Sequence, residues 1–97
     1  MHVHAHTRLL ESQPANGATV DHTPEAVVLH FAAPVETGFN KVELYADGRW
    51  QPLLVDGLGT RLQAHLPPLT SGRYKIRWSV LSSDGHRQNG TLVFVIR

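Results

Sequence analysis

The sequence predicts an all-β domain: a Greek-key β-sandwich or barrel of about seven strands, of immunoglobulin-like or cupredoxin-like type. Two observations carry this. Gly and Pro interrupt the chain at short intervals, and between them apolar and polar residues alternate with a period of about two, as in a half-buried strand, rather than about 3.6, as in a helix. No window offers the roughly ten residues of capped amphipathic pattern that a helix requires. At 97 residues, 41% hydrophobic and 18% charged, the chain fits one small domain.

The elements follow in order. A first strand is expected over His6 to Gln13, closed by the turn residues Pro14-Ala15-Asn16-Gly17. From Glu25 to Ala32, Val27, Leu29 and Phe31 fall on one face, with Val28 and His30 opposite. Val42 and Leu44 form a third inward set. Asp47-Gly48 then supplies a tight turn, because only Gly and Asn or Asp accept positive φ cheaply, and leads into a strand over Trp50 to Val55. Asp56-Gly57-Leu58-Gly59 reads as the next turn, followed by a strand from Thr60 to Leu66. The clearest alternation is Arg73 to Ser82, which turns Tyr74, Ile76, Trp78 and Val80 inward. Gly90 to Arg97 closes the set with Leu92, Phe94 and Ile96.

Composition narrows function. Cysteine is absent, which removes disulfide staples and thiolate-based zinc, iron–sulfur or redox chemistry. No apolar run approaches the roughly 20 residues that span a bilayer, so membrane insertion is not expected. Nine Lys and Arg against eight Asp and Glu give a net charge of +1 with no block of like charge, so no electrostatic footprint for nucleic acid is expected. What stands out is histidine: seven in the chain, against a single methionine at position 1.

His2, His4 and His6 alternate with Val3 and Ala5, so an extended backbone would place the three imidazoles on one side. Residues 1–5 read as a signal-peptide remnant or an expression tail. Val3-His4-Ala5 sets small or permissive residues at −3 and −1 of a cut before His6. Such a cut would let His6 offer a metal both its free amine and its ring; cuts before His2 or His4 compete with it. Near the other end, Ser82-Ser83-Asp84-Gly85-His86 spaces a carboxylate and an imidazole two residues apart, close enough to converge on one ion. The same stretch also reads as a polar turn before the last strand. His22, His30 and His65 have no partner visible in the sequence and read as surface or rim residues. Ser82, Ser83, Asp84 and His86 lie too close along the chain to form a nucleophilic triad.

At these residues the chain resembles the CopC-type periplasmic copper-binding proteins of copper resistance. The likeness runs from His6-Thr7-Arg8-Leu9 and Ser12-Gln13-Pro14-Ala15-Asn16-Gly17 through Val28-Leu29-His30-Phe31 and Pro34-Val35. It ends in Leu69 to Tyr74, Trp78 to His86 and Gly90-Thr91-Leu92-Val93-Phe94. Pairing H-x-x-L-x-x-S-x-P-A-x-G at the start with W-x-V-x-S-x-D-x-H near the end is far more specific than either part alone. The resemblance implies a single domain over residues 6–97 that binds one Cu(II) through a histidine brace. His6 would give its amine and ring, His86 a second ring, and Asp84 a carboxylate bound or nearby, with His2 and His4 as possible additional ligands. Trp78 and Tyr74 would be core. It further implies a periplasmic or extracytoplasmic, non-enzymatic carrier, buffer or resistance protein, with copper itself and a membrane copper transporter of the CopD type as partners.

Two departures qualify the resemblance. Family members that hold Cu(I) use a methionine-rich loop, and Lys41 to Leu66 contains no methionine, so no Cu(I) site is expected. Many relatives carry a carboxylate where this chain reads Ala32-Ala33-Pro34, and only Glu36 is at hand to substitute. Two other functions compete: a metal-free immunoglobulin-like interaction module, and a copper-dependent oxidase built on a histidine brace. The oxidase would need an aromatic substrate surface, for which Trp50 is the only exposed anchor the sequence offers.

Overall fold

In a computed structural model, residues 8–97 are described, and they form two β-sheets with no helix. The strands are β1 (Leu9–Gln13), β2 (Ala18–Val20), β3 (Ala26–Phe31), β4 (Lys41–Ala46), β5 (Arg49–Pro52), β6 (Val55–Leu58), β7 (Arg61–His65), β8 (Gly72–Leu81) and β9 (Arg87–Ile96). One sheet has the order β1-β3-β7-β6 and the other β2-β9-β8-β4-β5. The chain passes repeatedly between them, as a Greek-key sandwich requires.

The alternation read from sequence sets the core. Val27, Leu29 and Phe31 of β3 face Val42 and Leu44 of β4, Ile76, Trp78 and Val80 of β8, and Leu92, Phe94 and Ile96 of β9, all buried. Each fully buried Val, Leu, Ile or Phe contributes roughly 1.5–3 kcal/mol of transfer free energy. Trp78 is core, as expected, and meets Phe31 of the opposite sheet edge-on, with ring centroids 5.3 Å apart. Tyr74 sits at the core margin, stacked on Phe94 at 5.9 Å, and its hydroxyl donates to the Thr70 carbonyl.

Nine strands form rather than the seven expected, for three local reasons. The stretch from Trp50 to Val55 divides into β5 and β6 at Leu53 and Leu54, where the chain crosses between the sheets. There the chain leaves β4, with Leu53 N–H bonding the Val42 carbonyl, and joins β7 in the other sheet, where His65 N–H bonds Leu54. Second, Asp56-Gly57-Leu58 is strand rather than turn. Gly57 lies at φ 137° directly against the Arg61 and Leu62 backbone, an approach only glycine permits. Third, the three residues of β2 run parallel to the end of β9, with Asn16 Oδ1 accepting the Val93 N–H at 2.9 Å. The Asp47-Gly48 hairpin forms as expected, both residues at positive φ between Ala46 and Arg49.

Candidate metal centre

One end of the sandwich gathers the termini of several strands. β3 ends at Phe31, which pairs with Leu9 at the start of β1, while the Ala32 N–H donates to the Arg8 carbonyl at 2.8 Å. Four residues beyond Phe31, Val35 forms an isolated antiparallel bridge to Ser82, and the Glu36 N–H donates to the Leu81 carbonyl at 2.8 Å. The β8–β9 connection, residues 82–86, therefore sits at the end where the chain enters β1.

That connection is tightly organised. Ser82 is only 1% exposed. Its N–H donates to the His86 carbonyl at 2.8 Å, the Gly85 N–H donates back to the Ser82 carbonyl at 3.0 Å, and Gly85 turns the chain at φ 89°. The Ser82 hydroxyl reaches both the Asp84 carboxylate and the His86 carbonyl. Asp84 Oδ1 also accepts the His86 N–H at 3.2 Å, and Asp84 Oδ2 lies 3.2 Å from His86 Nδ1. The Ser82 hydroxyl foremost, then the His86 N–H, holds the Asp84 carboxyl below its ordinary pKa, so it stays ionised at neutral pH.

Asp84 and His86, proposed from spacing alone, are thus brought together on one turn with both side chains open to solvent. A carboxylate beside an imidazole can share a divalent ion with it, or orient the ring through Nδ1 and present Nε2 to the metal. Nitrogen and oxygen donors of this kind suit Cu(II). His2, His4 and His6 lie outside the described residues. Glu36 reaches this end of the fold through its backbone, yet among the described residues no three His, Asp or Glu side chains cluster closely enough to hold an ion.

The other histidines are distributed elsewhere. His30 is next to Phe31 but on the outer face of the four-stranded sheet, half-buried. His22 precedes β3 and lines a hollow with Pro14 and Val20. His65, with no partner visible in the sequence, has one in the fold: its Nε2 lies 2.5 Å from Asp56 Oδ2 across β6 and β7, at the opposite end of the sandwich. The residue that had no role at the site on sequence alone is Ser82. Its position three before Gly85 and two before Asp84 was the available signal, but only burial shows that its hydroxyl organises the turn.

Comparison with known proteins bears on the family and the fold. The CopC domain model matches residues 9–97. Copper resistance protein C of Pseudomonas syringae pv. tomato is 31% identical over 104 residues, covering 96% of this chain and 82% of that protein. The crystal structure of CopC from Methylosinus trichosporium OB3b superposes with a TM-score of 0.86 at 27% identity, covering 94% of this chain and 93% of the other. PcoC from Escherichia coli, described as a methionine-rich copper resistance protein, shares the fold at 24% identity and a TM-score of 0.74, covering 96% of this chain and all of PcoC.

Proposed function

The chain belongs to the CopC family, and from that premise we propose that it is an extracytoplasmic carrier or buffer that binds one Cu(II) through a histidine brace. The observation that carries this is the convergence of Asp84 and His86 on one hydrogen-bonded turn at the end where the chain enters β1. His6 stands two residues before Arg8, within about 7 Å of extended chain. A chain that begins at His6 would offer its terminal amine and ring there, with the His86 ring and the Asp84 carboxylate completing the set. Nitrogen donors in a tetragonal arrangement favour Cu(II), which also heads the divalent affinity order.

Residues 1–5 are then a segment removed in the mature protein, and 6–97 are the binding domain. The protein is no enzyme in this reading: it takes up copper as cargo and passes it on, with a membrane copper transporter of the CopD type as the recipient. One methionine in the whole chain supports a single Cu(II) site without a thioether Cu(I) site. Among the described residues no helix is long and apolar enough to cross a membrane.

The test is a competitive Cu(II) titration of the chain starting at His6, of the full chain, and of His86→Ala and Asp84→Ala, paired with EPR. The chain starting at His6 is expected to bind most tightly, with at least three nitrogens in the hyperfine pattern. Loss of His86 should weaken binding by more than the about 10–100-fold typical of an outer-shell change. Protons compete for an amine and imidazoles whose ordinary pKa values are about 7.7–8.0 and 6.5, so affinity should fall between about pH 8 and pH 5. Equal affinity with and without residues 1–5 overturns the amine assignment; unchanged affinity in both substituted chains overturns the site.

A further inference from the structure

The net charge of +1 conceals a strong segregation. On the outer face of the five-stranded sheet, β8 presents Arg73, Lys75 and Arg77 at alternate positions, all exposed, while their neighbours Tyr74, Ile76 and Trp78 turn inward. β4 adds Lys41, and β9 adds Arg87, whose guanidinium donates to Ser79 Oγ of the same face at 2.8 Å. Five of the nine Lys and Arg thus share one face with a single acid, Glu43, of the eight in the chain. Off this face the balance reverses.

The face carries its aromatic residues at one edge, on β4 and the edge strand β5. Arg77 Nε donates to Glu43 at 2.7 Å, and its guanidinium carbon lies 4.1 Å from the Trp50 ring centroid. Trp50 in turn packs edge-on to Tyr45 at 5.1 Å. Beside them an open cavity of about 520 Å³ is lined by Lys41, Glu43, Arg77, Ser79, Asn89 and Thr91. Arg73 and Lys75 form no ion pair among the described residues.

We infer that this face is the docking surface for a protein partner carrying an acidic patch, with the cations of β8 and β4 steering the approach and Trp50, Tyr45 and Arg77 as an anchor at the β4–β5 edge. Trp, Tyr and Arg are the residue types that binding hot spots favour, and complementary charge sets approach rate and register. A lipid surface fits less well. Trp50 is half-buried, held between Arg77 and Tyr45, and the outward positions of β8 from Arg73 to Ser79 carry no apolar side chain to insert. Arg87 directly follows His86, so the face abuts the β8–β9 turn, but the inference is independent of copper.

The test uses the metal-free full chain, ¹⁵N-labelled, titrated with a synthetic peptide of alternating Glu and Ser bearing one Tyr, and separately with vesicles of phosphatidylcholine containing phosphatidylserine. Amide shifts should map to Lys41, Arg73, Lys75, Arg77 and the Trp50 indole, and affinity should fall as salt rises. The exposed double variant Arg73→Glu/Lys75→Glu should bind the peptide at least about tenfold more weakly. Arg8→Glu/Arg61→Glu, both exposed and outside the five-stranded sheet, serves as the matched charge control and should change binding less than about twofold. Shifts spread over the whole surface, equal loss in the control, or unchanged affinity in the double variant overturn the inference. So does binding to vesicles without binding to the peptide, which would make the face a membrane-contact surface.

Discussion

Ser82 shows how much one buried hydroxyl can organise. It sits where β8 ends, bridged to Val35, and from there it contacts the Asp84 carboxylate and the His86 carbonyl. Removing it leaves the turn's backbone bonds and the His86 N–H bond to Asp84 in place but takes away the hydroxyl that holds the Asp84 carboxylate from the other side. Ser82→Ala is therefore expected to keep the fold while lowering Cu(II) affinity about tenfold, the scale of an outer-shell loss. Copper titration beside a thermal melt would check this; an unchanged affinity would show that Asp84 needs no such restraint. At this scale the sequence exposed the pair Asp84 and His86, because two donors two residues apart around a glycine are visible without coordinates. It did not expose Ser82 or the Asp56–His65 pair, since burial and cross-strand neighbours depend on register.

At the scale of the element, the β8–β9 hairpin is the part of the molecule most tightly specified. Its ladder runs unbroken from Gly72 against Ile96 to Leu81 against Arg87, and both candidate metal residues lie in its turn. Gly90 lies opposite Trp78, and a Cβ at that position would stand only 2.3 Å from Trp78 Cζ2. Gly90→Ala must displace Trp78, which packs on Phe31 at the site end, so it is expected to cost about 1–3 kcal/mol. Urea unfolding would measure it, and a midpoint equal to that of the parent would mean the ring can slide without penalty. The same elements show why alternation succeeded for β3, β8 and β9, which are six to ten residues long. It could not find β2, whose three residues pair in parallel with a strand more than seventy positions away, and it misread β6, where glycine marks close backbone approach instead of a turn.

For the whole molecule, charge is arranged rather than balanced, and this affects stability as well as recognition. Glu43, hydrogen-bonded by Arg77, and Asp84, hydrogen-bonded by Ser82, both have pKa values below the ordinary carboxylate range. Lowered values in the folded state mean that the unfolded chain binds protons first. Their stabilisation is complete above the ordinary values of about 3.9–4.3 and is lost as pH falls through the lowered ones. The urea midpoint should therefore gain nothing from these two groups between pH 7 and 5, and should fall below about pH 4 less steeply in Arg77→Gln than in the parent. A parallel decline in both proteins would remove Glu43 from the account. By itself the sequence determined the fold class, the inward set of β3, β4, β8 and β9, and the pairing of Asp84 with His86, because alternation and short spacing are local properties of the chain. Only the tertiary structure decided that the β8–β9 turn shares an end with the start of β1, that the chain crosses from one sheet to the other at Leu53 and Leu54, and that five cations face one way. These depend on which distant strands become neighbours, and cross-strand pairing leaves no periodic trace in the sequence.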